Sequence, residues 1–478
     1  MRTHLTQPSH GIPYKHLGVG SILLCLSLAS SAMDLLQAYE AASQHDATIM
    51  AARAAATADR EELPQAKAQL LPSVNASASH NENRLTSVTP GFSGVEQTTH
   101  NKYPSENQSL TVRQPLYRPQ LTAQYRQAKA QVDDAEATLL QEEQNLAVRV
   151  SSAYFDALLT NDQLALVLAQ QSTLKTQLDI ARKTFAAGSG TRTDIDEAQS
   201  RLDMNLALEI EARQNVIYNL QQLQTLTNQP VDTLATLNIA EMTHFTPQPI
   251  SLEEWTARAE QNNPQLKTLL ARVEIARHEA KKASAGHHPT LDAVAQWSNA
   301  ESESVTSTGS RYINKSIGLQ LSIPIFAGGY VNSLVRQALA RQERAEQLLE
   351  AGRRDLGLRV HKEFRNTTES VAKIKAFEQA LRSADQLVLS SRKSFQAGNR
   401  TVLDILNAEQ QRMLVLRDLS QARFLHLLSR IKLLALAGGA DLEALTSVNK
   451  LLQNRNSHTT TTHLFCNPLP LQQKSSLL

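Results

Sequence analysis

Two stretches of this 478-residue chain place a glycine, a hydroxyl and an acid at one fixed spacing: Gly188, Thr191 and Asp194, then Gly398, Thr401 and Asp404. A Thr followed three residues later by a carboxylate is the pattern of a capping box, in which hydroxyl and carboxylate satisfy free amides at a helix start. A glycine just ahead stops the preceding helix, because it adopts the left-handed conformation cheaply. Arg400 stands directly before the second Thr and by itself reads as a solvated surface charge. Elsewhere the residue types that do chemistry lack the spacing for it. HExxH, GxSxG, a phosphate loop and paired cysteines are absent, and Gly188-Ser189-Gly190 does not extend to a dinucleotide fingerprint. His287 and His288 are adjacent, so on a strand they point to opposite faces and read as surface or turn residues rather than metal ligands. No enzyme chemistry, metal or other cofactor is expected.

The two stretches are copies of each other. Residues 181–198 and 391–408 match without a gap at nine of eighteen positions, including Arg182/Arg392, Phe185/Phe395, Ile195/Ile405 and Ala198/Ala408, at a constant offset of 210. That is an internal repeat, and each copy reads as the tip of a helical hairpin, at 186–191 and 396–401. The repeat reaches further. Residues 35–53 align with 252–270 at an offset of 217, which also pairs Pro72 with Pro289, and Pro115 pairs with Pro324 at an offset of 209. Length changes fall in the loops, as a duplicated domain requires.

Each half must therefore build the elements that carry its tip. Residues 34–68 and 251–285 have apolar residues recurring at three and four and read as one helix in each half. Proline then breaks the pattern, and alternation takes over: Val74, Ala76 and Ala78 against Asn75, Ser77 and Ser79, and later Leu291, Ala293, Ala295 and Trp297. Polar segments at 80–107 and 299–314 read as long loops. They lead into second alternating runs with Leu110, Val112 and Leu116, and with Ile317, Leu319, Leu321, Ile323 and Ile325. The hairpins so formed, 72–116 and 289–325, fit either a transmembrane barrel with lipid outside and a polar lumen or a soluble amphipathic sheet.

After Pro119 and Pro324 no proline interrupts residues 120–187 or 329–397. Roughly 70 residues of helix make a rod of about 105 Å, too long for a compact domain. Leu121, Tyr125, Ala128, Val132, Ala135, Leu139 and Leu146 step by four and three, and Val331, Val335, Ala338, Ala345, Leu349 and Leu356 do so in the second half. That is a heptad seam whose alanines allow close helix approach. Return helices run from Thr191 and Thr401 to about Asn228 and Ala437.

Composition agrees with long packed helices: 41% hydrophobic, only 4% aromatic, net charge +2. Near-neutral charge gives no footprint for nucleic acid. Residues 1–32, with Arg2, Lys15, a short apolar run and small residues at Ser30 and Ala32, read as a signal peptide that leaves Met33 first. Leu24 before Cys25 is too large for a lipoprotein cleavage site, and removal of the signal leaves Cys466 alone, so neither lipid anchor nor intramolecular disulfide is expected. Past the signal no apolar run is long enough to cross a bilayer as a helix. The domains expected are 33–230 and 251–440 as the two repeats, 231–250 as a linker, and 441–478 as a loosely packed low-complexity tail.

The fold class is mainly α with a β-barrel part: a long α-helical coiled-coil barrel continued by a transmembrane β-barrel, four strands per protomer. Four strands cannot close, since membrane barrels need at least about eight to leave no edge unpaired in lipid. The protomer must associate with copies of itself.

The duplicated order of helix, hairpin, long helix, tip and return helix, with FAAGSGTRTDIDEAQ and FQAGNRTVLDILNAEQ at the tips, resembles the TolC family of outer-membrane channel proteins over nearly the whole chain after residue 32. The resemblance implies a homotrimeric exit duct in the Gram-negative outer membrane that extends through the periplasm. Its partners would be a periplasmic adaptor and an inner-membrane ABC or proton-driven transporter, in type I protein secretion or drug efflux. It further implies that Gly188, Gly398, Thr191 and Thr401 meet the adaptor, and that Asp194, Thr193 and Arg400 belong to polar links holding the entrance shut. Asp404 would ring the constriction and select cations. The family places a second aspartate where this chain has Asn407, so a ring of three charges rather than six is expected, with Leu403 and Leu406 narrowing the pore by bulk. Arg400 occurs only in the second copy and Asp196 only in the first, so the hairpins are expected to differ in role, the second being the one that moves. The rivals are a periplasmic helical-hairpin adaptor, which has one hairpin and not two, and a soluble coiled-coil scaffold, which leaves the strands unexplained.

Overall fold

The computed structural model describes residues 32–91, 94–238, 250–304 and 307–453. The expected signal peptide, both cysteines and the end of the tail lie outside them. No helix among the described residues is long and apolar enough to cross a membrane. The first half runs α1 (Leu35–His45), α2 (Ala47–Arg60), α3 (Glu62–Ala68), β1 (Ser73–Pro90), β2 (Glu96–Tyr117), α4 (Pro119–Ala186) and α5 (Arg192–Thr227), followed by the short β3 (Thr236–Leu237). The second runs α6 (Leu252–Asn262), α7 (Pro264–Ser284), β4 (Thr290–Ser304), β5 (Ser307–Ser322), α8 (Tyr330–Gln396) and α9 (Val402–Leu436), then α10 (Leu442–Asn449) and β6 (Leu452–Gln453).

Three expectations need correction. The opening helix of each half is broken rather than single. Asp46 ends α1 and caps α2, its carboxylate accepting from the Ile49 amide at 2.9 Å, and Asn263 does the same for α7 ahead of Pro264. A side chain that competes for backbone amides makes a new helix start. The polar segments are strands and not loops. β1 pairs with β2 without interruption from Ser73↔Arg113 to Pro90↔Glu96, and β4 pairs with β5 through Asn299↔Ile313 to Ser304↔Ser307. Polar cross-strand bonds replace apolar packing there, among them Ser77 to Ser109 and Asn83 to Ser105, both 2.8 Å. The tail is folded as far as Gln453. Asp441 caps α10, Leu445 and Val448 are fully buried, and β6 pairs with β3.

The four long strands form one antiparallel sheet in the order β1-β2-β4-β5, with no strand beyond β1 or β5 among the described residues. Register lines up one residue from each strand, so Val74, Val112, Ala295 and Ile317 share a row on one face, and Asn75, Thr111, Gln296 and Ser316 share the next row on the other. The apolar face stands in the open: Ile317 is 88% exposed. Residues 313–322 of β5 carry this face, and ten residues at about 3.3 Å, tilted by about 40°, cover about 25 Å, the height of the apolar band of a membrane barrel.

Below the sheet the long rods pack side by side. α7 covers the barrel-side part of α4, where Gln127 donates to Glu279 at 2.9 Å, and α9 covers the tip-side part, where Ser420 donates to Asp162 at 2.7 Å. α7 and α9 also both pack on α8. The heptad seam is present, with Ala128, Ala135 and Leu146 buried; a second seam of buried Ala123, Ala130, Ala137, Gln144 and Ser151 repeats every seven residues. One rod therefore buries two neighbours. Where sheet meets rods, Asp292 is only 3% exposed and accepts from Arg118 Nε at 2.8 Å, with Arg113 at 3.5 Å.

Midway along the rods an apolar core joins α1, α4, α5, α9 and α10 through Leu35, Tyr154, Leu223, Leu427, Ile431 and Leu445. The Tyr154 hydroxyl lies 3.0 Å from the Met33 carbonyl and 2.9 Å from that of Ala235, fixing the segment before α1 to the linker. Leu445→Ala is expected to cost about 2–5 kcal/mol, as other buried Leu truncations do, whereas Leu442→Ala on the exposed side of α10 should change stability by less than about 0.5 kcal/mol. Chemical denaturation of the purified protein would read both; equal small effects would mean that α10 is not part of the core.

Candidate functional site

The tips come from local chemistry. At the first, Phe185 and Thr184 carbonyls accept from Gly188, Ser189 and Gly190 amides, and Gly188 turns the chain at φ 76°. At the second, Gly398 does so at φ 80°. Both Thr-Asp pairs form capping boxes. The Thr191 amide donates to Asp194 Oδ2 at 2.9 Å while the Asp194 amide donates to Thr191 Oγ1 at 3.2 Å; for Thr401 and Asp404 the distances are 2.9 and 3.4 Å. The Thr401 amide and hydroxyl, followed by the Arg400 guanidinium, hold the Asp404 carboxyl below its ordinary range.

The sequence-predicted residues fall into two groups. Asp404 and Arg400 meet, at 4.0 Å, and Arg400 also donates to Ser391 Oγ at 3.4 Å. Asp194 faces Thr191 instead, and Thr193 is exposed. Among the described residues no hydrogen bond or ion pair joins Arg400 to Asp194 or Thr193 within one chain. Leu403 is exposed, whereas Leu406 is buried in a cluster with Leu174, Leu178, Ala198, Leu202 and Val402 that fastens the hairpins together just behind the tips. Leu406 therefore packs between helices and does not project, contrary to the expectation that it narrows a pore.

Three features were not read from the sequence. Arg201 on α5 donates through Nη2 to Asn407 Oδ1 at 2.8 Å and through Nη1 to Gln410 Oε1 at 3.1 Å, both on α9, while its Nε meets Glu197 at 2.8 Å. Behind this contact α4, α5 and α9 enclose a groove of about 240 Å³. Finally, the second hairpin is stitched by ion pairs: Arg392 to Glu409, Arg412 to Asp385 and Arg423 to Glu378. The equivalent positions of the first are Arg182 with Gln199, Leu202 with Lys175 and Arg213 with Leu168, and only Arg182 to Gln199 survives, as a hydrogen bond of 3.3 Å. Comparing the copies position by position would have revealed that asymmetry.

The sequence model of the family described as "Outer membrane efflux protein" matches residues 38–229 and 255–439. The chain is similar to the alkaline protease secretion protein AprF of Pseudomonas aeruginosa, 34% identical with 89% of each chain covered. It is also similar to the proteases secretion protein PrtF of Dickeya chrysanthemi, 30% identical over 87% of this chain and 91% of that protein. In fold it matches the Campylobacter jejuni CmeC outer membrane channel with a TM-score of 0.73 at 15% identity, covering 93% of this chain and 98% of that one.

The second cap gives a pH dependence of known sign. A carboxylate held below its unfolded pKa, near 4, contributes stability that is complete above that value and lost as pH falls through the folded one. Amide hydrogen exchange at residues 402–405, corrected for intrinsic rates, should therefore be unchanged between pH 5 and 8 and accelerate only below about pH 4. Thr401→Ala should raise exchange there at every pH by the factor that loss of a cap worth about 1 kcal/mol implies.

Proposed function

We propose a role in protein secretion, on the premise that this chain belongs to the outer membrane efflux protein family. It is an outer-membrane export channel whose rods extend into the periplasm, and the channels of this family serve secretion or efflux. Within that family the reading favoured is type I secretion of a protein cargo of the protease class. The observation that carries it is full-length similarity, at 30% identity or above, to two protease secretion proteins.

In this reading three copies close the sheet into one barrel and their six hairpins into one tube. A periplasmic adaptor meets the tips around Gly188, Gly398, Thr191 and Thr401, and an inner-membrane ABC transporter supplies cargo and energy. The duct itself supplies a path and a gate. Asp404 and Leu403, with Asn407 beside them, form the constriction; Arg400, Asp194 and Thr193 hold it shut, the last two across the boundary between copies, since within one chain they do not reach Arg400. One acid per chain at the constriction gives three negative charges around the axis, each with an Arg400 guanidinium 4.0 Å away. Such a ring attracts cations weakly.

Secretion tests the subtype. In a bacterium that carries an ABC transporter, an adaptor and a secreted protease but lacks its own duct, this chain should restore extracellular protease; restored drug resistance alongside a proton-driven pump, with no protease outside the cell, would replace secretion by efflux. Bilayer recordings test the constriction. Asp404→Ala should weaken block by multivalent cations severalfold, about what removing a partly screened charge is worth, with trimer yield unchanged. Loss of the trimer would mean that Asp404 serves only as a cap.

A further inference from the structure

We propose that Arg201 is a latch that holds the two hairpins of one chain together at the entrance, and that Asn407 serves as its acceptor rather than as a selectivity residue. This rests on the duct reading above, since a latch matters only where the hairpins part.

The argument begins with what joins the hairpins near the tips. Among the described residues the hydrogen bonds between α5 and α9 both come from Arg201, to Asn407 at 2.8 Å and to Gln410 at 3.1 Å. The guanidinium is preset by Glu197 at 2.8 Å, one turn earlier on its own helix, and its side chain is only 23% exposed. A planar fork held by one acceptor and presented to two more is the geometry in which arginine outperforms lysine. Glu197 and Asn407 are, moreover, equivalent positions of the repeat, 210 residues apart. Two pseudo-symmetric acceptors thus converge on one cation, while the position equivalent to Arg201 holds Gln411. The latch is therefore single and asymmetric.

What lies behind Arg201 shows why it is needed. There α5 and α9 do not close on each other but leave the groove lined by Leu174, Met204, Asn205, Leu208 and Met413. Asn205 is only 2% exposed, and neither its carboxamide oxygen nor its nitrogen has a hydrogen-bond partner. An unpaired buried amide and an unfilled groove both disfavour the joined arrangement. Each hairpin is fastened within itself, by Arg392–Glu409 and Arg412–Asp385 on one side and by Leu174, Leu178, Ala198 and Leu202 on the other. Parting the hairpins with both intact therefore requires the release of the Arg201 bonds on the α5 side, and of the packing of α9 on α4 with the contact of Leu406 and Val402 and the Ser420–Asp162 bond on the other. The acceptor's neutrality tunes the strength. An aspartate at 407 would turn the bond into an ion pair, so Asn407 makes a latch weak enough to release.

The test uses the purified full chain in planar bilayers and reads open probability rather than conductance amplitude. Arg201→Met should raise the open fraction about tenfold, the factor that 1.4 kcal/mol gives. Asn407→Ala should raise it similarly, and the double variant should open no more than either single one, because one latch is lost in all three. Asn407→Asp should lower the open fraction, and that effect should vanish when Arg201 is Met. A merely structural role would not yield opposite signs at one position. If Arg201→Met and Asn407→Asp leave the open fraction unchanged while Arg400→Met raises it, the latch is refuted and the gated duct stands. Additive opening in the double variant also refutes the latch. If the unaltered chain never conducts, the duct reading fails with it.

Discussion

A backbone amide in hydrocarbon has no water to turn to, so a sheet that enters a bilayer cannot keep an edge. The sheet here has two, the full lengths of β1 and β5, and its apolar face is open to the surroundings. That one fact organises the molecule. The face demands lipid, the edges demand further strands, and the described residues offer no other strand to pair with them. The helical layer repeats the problem in milder form, because the outer face of α5 leaves Met204, Ile210, Ile217 and Tyr218 more than 60% exposed. Both layers are incomplete in one chain, and a closed ring of copies about one axis is the arrangement that completes them together.

The joint between the layers must then be stiff, since any bend would break the match of edges above and below. Asp292 does this at the top, tying β4 of the second half to Arg118 at the start of α4 in the first. Tyr154 and the core around it do so at the middle, where α10 returns to seal the first half against the second. Removing Arg118 would leave the buried Asp292 carboxylate with only Arg113 at 3.5 Å, and a buried charge stripped of its hydrogen-bonded partner is costly.

Much of this was legible in the sequence because it is local. Gly398 with positive φ and the Thr401–Asp404 box act within a few residues, and the rods follow from an uninterrupted heptad, whereas Asp46 and Asn263 break helices that periodicity alone reads as single. What the sequence concealed depends on distant partners. Strand residues 80–107 look like a loop because Ser, Thr, Asn and His carry no apolar alternation; only across the ladder, where Thr86 meets His100 at 2.9 Å, does their role as strand residues emerge. α10 was hidden among polar neighbours, although Leu445 and Val448, three apart, are its buried stripe. Arg201 could not be paired with Asn407 without knowing that α5 and α9 lie side by side.

The duplication also explains why the two hairpins need not behave alike. Both copies keep the residues that a turn requires, glycine, threonine and aspartate, since any hairpin lacking them would not form. They differ where a turn is indifferent. Glu409 against Gln199, and Arg412 and Asp385 against Leu202 and Lys175, give the second hairpin, beside its apolar packing around Ile374 and Leu419, ion pairs that the first hairpin lacks at those positions. An ion pair tolerates sliding, because its energy falls off slowly with distance, whereas interlocked side chains do not. Fastened by ion pairs as well as packing within itself, and joined to α5 of the first hairpin by hydrogen bonds from Arg201 to two neutral acceptors, the second hairpin carries its charged bonds inside rather than across the boundary.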